Sequence, residues 1–179
     1  MLETELIKRC KNGDGNAFKH LIGIYKNKLF GYFWKFGGSK YAAEEMFQET
    51  LIKVWRAIDS YNNNNKFASW LFTIAHNVAV DFVRKDKSKL NVELDSIKNN
   101  TNGILQDDLF VRDETINEIN SIVKILPDKQ KRVFLLRQHG ELTFKEIAEI
   151  TKEPLNTVLS HMNYAIKKIK KELVIRNEL

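Results

Sequence analysis

The stretch Thr143–Met162, TFKEIAEITKEPLNTVLSHM, contains two helix-forming runs separated only by Lys-Glu-Pro. Proline is favoured in the first turn of a helix, because its missing N–H would have no intrahelical partner there. Two short helices that meet sharply bury a shared apolar seam and leave the outer face of the second helix exposed. The stretch therefore predicts a helix-turn-helix. The apolar positions recur at helical spacing, at Phe144, Ile147, Ala148 and Ile150 and then at Val158, Met162, Ala165 and Ile169.

The composition of the 179-residue chain indicates an all-α protein. Its hydrophobic content of 43% is sufficient for packed cores, and it has only two prolines and eight glycines. No apolar run approaches the roughly 20 residues of a membrane span. The charged N-terminus is unlike a secretory signal, and the single Cys10 excludes an internal disulfide. We therefore expect a cytoplasmic protein.

The net charge of +6 is distributed unevenly along the chain. Lys and Arg outnumber Asp and Glu by 13 to 8 in residues 1–85 and by 12 to 8 in residues 116–179. In residues 86–115 the acidic side chains prevail by 7 to 4. Two basic blocks that flank an acidic segment favour two nucleic-acid-binding modules on a tether, although a mildly basic charge is also common among soluble proteins.

The helical patterns fall into two groups with a polar segment between them. Asp14 is a plausible cap for the first group, and Gly37–Ser39 breaks the pattern. The fold class is predicted to be all-α, with two compact helical domains joined by a flexible linker, the C-terminal domain containing the helix-turn-helix. The first domain covers residues 1–86, with helices over 5–36, 41–58 and 68–84; the linker covers 87–108 and the second domain 109–179.

The predicted helix over residues 41–58 has a mixed face opposite its apolar stripe. That face is charged and carries the aliphatic Ile52 in its middle. Such a pattern favours a protein-binding surface, although single exposed aliphatic side chains are also normal. We interpret Phe47, Leu51, Val54 and Ile58 as the core stripe, and Glu45, Gln48, Glu49, Ile52, Lys53 and Arg56 as the candidate binding residues.

A second candidate surface combines an asparagine-rich loop with the start of the following helix. Unpaired bases are bound by stacking on aromatic rings, by hydrogen bonds to their edges and by cations near the phosphates. Alternatively, Trp70 anchors the core and the asparagines only form a loop. Leu71, Ala75, Val78 and Phe82 are expected to be buried, and the candidate binding residues are Asn62, Asn63, Asn64, Asn65, Lys66, Trp70, Thr73, Asn77 and Arg84.

The third candidate surface is the outer face of the last helix. Polar side chains near the start of a recognition helix reach base edges in the major groove, and lysines further along meet phosphates. The preceding basic run, with Lys129, Lys131, Arg132 and Arg137, supports this interpretation. The candidate residues are Asn156, Thr157, Ser160, His161, Asn163, Tyr164, Lys167 and Lys171.

An enzyme is poorly supported by the sequence. The four histidines are scattered and lack the spacing of metal ligands, and no glycine-rich phosphate loop is evident. We therefore expect no catalytic residue, metal or cofactor. From the residues alone, the three surfaces fit two kinds of protein. One is a conventional helix-turn-helix regulator that binds DNA and acts without joining another machine, and the other is a helical module whose basic faces bind acidic proteins. Such regulators usually dimerise, and no clear dimerisation helix is present, so no stable homo-oligomer is expected.

The segments together resemble bacterial RNA polymerase sigma factors of the sigma-70 family, in the extracytoplasmic-function group. The first half carries GD–AF, AEEMFQETLIKVW and F–SWLFTIAHNVAVDFVRK in this order. The second half carries LPDKQKRVFLLR and then TFKEIAEI. The resemblance covers most of the chain outside the linker and includes the direct connection between the two domains.

The resemblance implies a role for each surface. The face around Ile52 would contact core RNA polymerase, the loop with Asn77 would capture a flipped base of the minus-ten element, and the last helix would read duplex DNA of the minus-thirty-five element. It further implies promoter melting and an anti-sigma partner. The chain departs from the family at four positions, where Gly, an aliphatic residue, Lys and Arg are common: Lys152, Glu153, Leu159 and His161. The resemblance therefore implies weaker phosphate contacts and an altered base preference.

Overall fold

The computed structural model describes the backbone of residues 2–62, 66–93 and 114–177, and these residues are helical apart from short connections. They form two helical domains, which confirms the predicted fold class. The first domain contains α1 (Glu3–Lys11), α2 (Gly15–Gly37), α3 (Lys40–Ala57), a short 3-10 helix (Ile58–Ser60) and α4 (Phe67–Glu93); the second contains α5 (Glu114–Lys124), α6 (Asp128–Gly140), α7 (Phe144–Thr151) and α8 (Leu155–Asn177).

Local capping determines where the helices of the first domain begin. The Asp14 carboxylate accepts hydrogen bonds from the backbone N–H groups of Asn16 (2.9 Å) and Ala17 (3.0 Å), as the sequence predicted. These bonds and an ion pair with Arg9 lower the pKa of Asp14. Gly38 ends α2 in the left-handed conformation, with φ at 77°. The last helix of the domain, α4, continues to Glu93, beyond the predicted helix end at about residue 84.

The buried face of α3 is rotated relative to the prediction. Phe47 and Leu51 are only half-buried, whereas Met46 and Thr50 are fully buried together with Val54. Thr50 can occupy the core because its hydroxyl donates a hydrogen bond to the Met46 carbonyl at 2.7 Å. The prediction failed here because it ranked positions by side-chain hydrophobicity and gave a small threonine no weight.

The helix-turn-helix in the second domain follows its predicted pattern. Thr143 caps α7: its hydroxyl accepts from the Glu146 N–H at 3.3 Å, and the Glu146 carboxylate accepts from the Thr143 N–H at 2.7 Å. The side chains of Ile147 and Val158 are fully buried in the seam between α7 and α8. This packing exposes the opposite face of α8.

The turn between α7 and α8 forms without the glycine that is common in the family. Lys152 adopts the left-handed conformation itself, with φ at 56° and ψ at 36°, and its N–H donates to the Ala148 carbonyl. The Glu153 N–H donates to the same carbonyl at 3.2 Å. The turn geometry is therefore retained, at a steric cost of about 1–2 kcal/mol for a residue with a Cβ.

Substituting Lys152→Gly should stabilise the protein. Glycine removes the steric cost but increases the entropy of the unfolded chain, so the expected net gain is about 0.5–1 kcal/mol, or roughly 2 °C in melting temperature. Thermal unfolding followed by circular dichroism measures the gain. The matched control is Lys145→Gly on the exposed side of α7, which should cost about 1 kcal/mol. A lower melting temperature for Lys152→Gly would contradict strain in the turn.

The two domains pack directly against each other, mainly through α2 and α6, with additional contacts from α4 to α6 and α7. Gly31 of α2 lies so close to His139 of α6 that an added Cβ would come within 2.8 Å of the imidazole Cε1 atom. At the edge of this interface, the Lys28 ammonium pairs with the Glu141 carboxylate at 2.8 Å. The sequence predicted two domains on a tether, but it did not predict this interface.

The interface buries basic groups from both domains. Burial, and secondarily the charge of Lys35, lowers the pKa of His139 to about 4. His76 is also buried, at 2.9 Å from the Tyr32 hydroxyl through its Nδ1 atom, and burial together with the charge of Arg132 lowers its pKa to about 4. Both imidazoles are therefore neutral at neutral pH, and protonating either would add a charge beside an existing cation.

Stability should decrease as the pH falls from about 7.5 to about 5. Both histidines have a lower pKa in the folded protein than the ordinary 6.5, so the unfolded state binds more protons in this range and protonation favours unfolding. The expected loss is at most about 2 kcal/mol per histidine, and it should level off below about pH 4. Urea unfolding at each pH measures it. A His139→Gln variant should lose roughly half of the dependence; an unchanged profile would contradict the shift.

Candidate nucleic-acid interface

The predicted protein-binding face of α3 is exposed in the structure. Ile52 is 46% exposed and lies between charged neighbours on the same side of the helix. Lys53 is half-buried and pairs with Glu49 at 3.5 Å. The six predicted residues thus share one accessible side of the helix; the exposed ones are Glu45, Gln48, Glu49, Ile52 and Arg56.

Two aromatic residues extend this face and were missed as site residues. Tyr41 is the most exposed aromatic side chain among the described residues, and it lies three turns before Ile52 on the same helical face. Trp55 is partly exposed, with its ring 5.0 Å from that of Phe18. Their exposure could have been inferred from the helical wheel, because both lie opposite the buried residues of α3.

The second surface begins at a cluster of packed aromatic rings. The Trp70 ring lies 5.1 Å from Tyr61 and 5.6 Å from Phe67, so the half-buried tryptophan contributes to packing as well as to the surface. Lys11 of α1 donates a hydrogen bond to the Tyr61 carbonyl, just before the predicted loop. Asn62 and Lys66, which flank the loop, are exposed. The remaining predicted loop residues, Asn63, Asn64 and Asn65, lie outside the described part of the chain.

The adjacent face of α4 carries the other predicted residues of this surface. Asn77 is exposed, and its amide is available for hydrogen bonds to a base. Thr73 is half-buried, and its hydroxyl donates to the Ser69 carbonyl at 2.8 Å. Arg84 is exposed and pairs with Asp81 at 3.0 Å. The second domain packs on another side of α4, where the buried Phe72 lies beside Gly140 of α6, while Asn77 remains exposed.

The third surface follows the exposed side of α8. Its polar residues near the helix start are accessible, and the Ser160 hydroxyl donates to the Asn156 carbonyl at 2.8 Å, which leaves its oxygen as an acceptor toward a ligand. Thr157 is half-buried. Lysines from the later turns and residues of the α5–α6 connection line an open groove of about 380 Å³. The exposed predicted residues are Asn156, Ser160, Asn163, Tyr164, Lys167 and Lys171.

His161 is directed toward the turn, away from the outer face. It is largely buried, and its Nε2 atom lies 3.4 Å from the Glu153 carboxylate. Lys129 of α6 pairs with the other oxygen of Glu153 at 2.9 Å. Glu153 therefore connects α6, the turn and α8, which gives the two departures from the family at positions 153 and 161 a common structural role.

The basic residues of α6 make contacts within the protein, while Lys129 and Arg137 remain exposed. Lys131 and Arg132 line a small cavity beside Phe36 of α2, and burial lowers the pKa of Lys131. The Arg137 guanidinium donates to the Leu142 carbonyl at 2.6 Å and lies over the Phe144 ring. Exposed cations of this domain lie on α6 and α7 as well as on α8.

Two further features, a membrane-spanning helix and a metal site, are absent from the described residues. Within the ranges given above, no helix is sufficiently long and apolar to cross a membrane. No group of three His, Cys, Asp or Glu side chains in those ranges is arranged to hold a metal ion.

Two family models match the chain in order along its length. Residues 21–89 match Sigma-70 region 2, and residues 122–171 match Sigma-70, region 4. The first match contains the α3 face and most of the α4 surface, and the second contains the helix-turn-helix.

Whole-length relatives give the same result. The chain is 33% identical to the ECF RNA polymerase sigma factor SigW of Bacillus subtilis, over 97% of each chain. It is 26% identical to the RNA polymerase sigma-H factor of Pseudomonas aeruginosa, over 96% of this chain and 93% of the relative. The similarity thus extends through both domains.

Solved structures share the fold at lower sequence identity. The sigma factor RpoE of Bartonella quintana, in a complex with the anti-sigma factor NepR, aligns with a TM-score of 0.75 at 20% identity, covering 88% of this chain and 97% of that one. CnrH, in a complex with the cytosolic domain of CnrY, aligns with a TM-score of 0.69 at 18% identity, covering 95% and 96%.

Proposed function

The chain belongs to the extracytoplasmic-function group of bacterial RNA polymerase sigma factors, which bind core RNA polymerase and direct it to specific promoters, and we propose how its surfaces divide this work. The α3 face binds core polymerase, the loop and α4 capture unpaired bases of the minus-ten element, and α8 reads the duplex of the minus-thirty-five element. The single observation that supports this division is that three exposed polar faces lie on separate helices of two domains, each within a matched region.

The α3 face has the character of a protein-binding site. Its centre is aliphatic at Ile52 and aromatic at Trp55, and charged side chains surround this centre. Protein interfaces commonly combine an apolar anchor with a polar rim. The packing of α3 against α2 and α4 holds these residues on a rigid helix.

An Ile52→Asp variant should bind core polymerase at least about tenfold more weakly, because it places a carboxylate at the apolar centre of the interface. Ile52 is exposed, so the melting temperature should change little. Ile24→Asp is the matched control, because Ile24 is 53% exposed but lies on α2 outside this face. Fluorescence anisotropy with labelled protein measures both affinities. Equal affinities for the two variants would argue against polymerase binding by this face.

The loop and α4 offer the groups that a melted strand requires. Asn62 and Asn77 supply amides, Lys66 supplies a cation and Trp70 a partly accessible ring. A base that leaves the duplex loses the free energy of its stacking and pairing. Contacts with these protein groups recover part of that free energy, and they can form only after the strands have melted. The surface therefore shifts the equilibrium toward the open complex. The chain itself makes and breaks no covalent bond, since the polymerase performs the chemistry.

The two DNA-binding domains must separate before both elements can be bound. The elements are centred about 25 base pairs apart, which corresponds to roughly 85 Å at ~3.4 Å per base pair. A compact body of this length has a radius of gyration of about 16 Å and is therefore roughly 40 Å across. The packed arrangement of α2 against α6 is consequently a closed state. Binding to the much larger polymerase supplies the free energy that opens it.

A cytoplasmic location and an anti-sigma partner complete the proposal. Two similar solved structures are of complexes with other proteins, and one of them is of a sigma factor bound to an anti-sigma factor. A protein that binds the closed state more tightly than the open one would keep this chain from polymerase.

Co-purification with core polymerase tests the proposed function against its main alternative. The sigma factor should elute with core polymerase in gel filtration and should confer initiation on a promoter template. A regulator that acts without joining polymerase would elute separately and still bind duplex DNA. That second result would overturn the proposal.

A further inference from the structure

Two leucines are exposed at the start of the DNA-reading helix. Leu155 is 36% exposed and Leu159 is 37% exposed, whereas the apolar residues of the same helix that face α6 and α7, such as Val158 and Ala165, are fully buried. The two leucines are four residues apart and therefore lie on the same flank of α8. Neither is needed to complete the core.

The two leucines lie at different angles from the polar side chains of α8 that would contact the bases. At 100° per residue, Leu159 lies within about 60° of the direction shared by Asn156 and Asn163, whereas Leu155 lies about 100° away from it. Leu159 also lies in the second turn, between these two asparagines along the helix axis. A helix in the major groove would therefore bring Leu159 to a base edge and direct Leu155 toward the groove wall.

The neighbours of Leu159 provide no cation in the first turns of α8. His161 lies at the turn, with its Nε2 atom 3.4 Å from the Glu153 carboxylate, and the first lysine of the helix is Lys167, three turns in from its start. The residue types that read guanine through its two acceptors are arginine and lysine, and neither occurs between positions 155 and 166. What the region offers is amides, which suit adenine, and the apolar Leu159.

The C5-methyl group of thymine is the only alkyl group on the major-groove edge of an unmodified base pair. Building on the proposed function of α8, we propose that Leu159 is a specificity-determining residue that packs against the methyl group of a thymine in the upstream promoter element. Burial of one methyl group corresponds to about a fourfold change in affinity, or about 0.8 kcal/mol. Thymine at that position replaces the guanine that a cationic side chain would select.

The test uses the full chain bound to core polymerase and upstream duplexes that it selects from a randomised library. Each thymine of a selected element is replaced in turn by deoxyuridine, which removes only the methyl group. Wild-type protein should bind about fourfold more weakly at one position. Leu159→Ala should bind the thymine and deoxyuridine duplexes equally at that position, whereas Leu155→Ala should retain the fourfold difference. Leu159→Lys should shift the selected base there toward guanine.

Three results would overturn the inference: no position sensitive to deoxyuridine, a sensitive position that Leu159→Ala leaves unchanged, or loss of sensitivity in Leu155→Ala alone. A duplex with cytosine in place of the thymine should bind more weakly, and 5-methylcytosine at the same position should recover part of that binding. This comparison separates the methyl contact from recognition of the rest of the base pair. Failure of the proposed function is distinguishable, because then the complex would select no upstream element and would not initiate transcription at all.

Discussion

Joining Lys28→Cys to Glu141→Cys with a short bis-methanethiosulfonate cross-linker, which forms reducible disulfides, should lower initiation from a matched promoter by roughly tenfold or more. The two native side chains meet at 2.8 Å across the domain interface, and both are accessible to a reagent. A linked protein cannot separate its domains and therefore cannot span about 85 Å of promoter. Run-off transcription with core polymerase measures the loss, and adding a reductant should restore activity.

Each cysteine variant alone, treated with the same reagent, is the control for loss of the ion pair. Exposed ion pairs contribute little, so both single variants should remain active. The native Cys10 should not react, because it is 1% exposed and burial raises the pKa of its thiol. Full activity of the linked protein would show that both elements are bound in the closed state, and the proposed opening would be wrong.

Replacing the asparagines at positions 62–65 and 77 with alanine should reduce the fraction of open complex by about tenfold or more. A hydrogen bond contributes roughly 0.5–1.5 kcal/mol net, and these variants together remove several amides that would bind base edges. Permanganate reactivity of promoter thymines measures strand opening. Binding of the upstream duplex should be unchanged, because α8 lies on the other domain.

Asn163→Ala provides the matched control for these variants. It removes the same type of side chain from the second domain, so it should weaken binding of the upstream duplex while leaving the opening of a bound promoter nearly unchanged. If the loop and α4 variants opened promoters as well as wild type, base capture by this surface would be refuted. If both sets of variants affected both measurements equally, the division between the domains would be wrong.

Local signals made several helix starts predictable. Asp14, Thr143 and Pro154 each mark a helix start through the hydrogen bonds that they make or cannot make. The burial of Ile147 and Val158 likewise follows from spacing alone. These features depend on residues within a few positions of one another, so a single sequence contains them.

Features that depend on distant residues could not be predicted in this way. Thr50 is buried because its hydroxyl bonds within the helix and a small side chain allows close packing, and no hydrophobicity pattern signals this. Lys152 adopts a glycine-like conformation because the helices on both sides fix the turn. The Gly31–His139 contact joins residues more than a hundred positions apart.

The candidate surfaces were predictable as helix faces but not in their individual contacts. Exposure of Ile52 and Asn77 follows from their positions opposite the core. The pairing of His161 with Glu153 does not, since it depends on how the chain turns before α8. The position of Arg132 beside Phe36 is unpredictable for the same reason, because it depends on how the two domains pack.

In vitro transcription with core polymerase on a pool of genomic templates, followed by mapping of the start sites, tests the central claim most directly. A defined set of start sites should appear only when this chain is added, and these sites should share one element near −10 and another near −35. Start sites identical to those of core polymerase alone would contradict that claim.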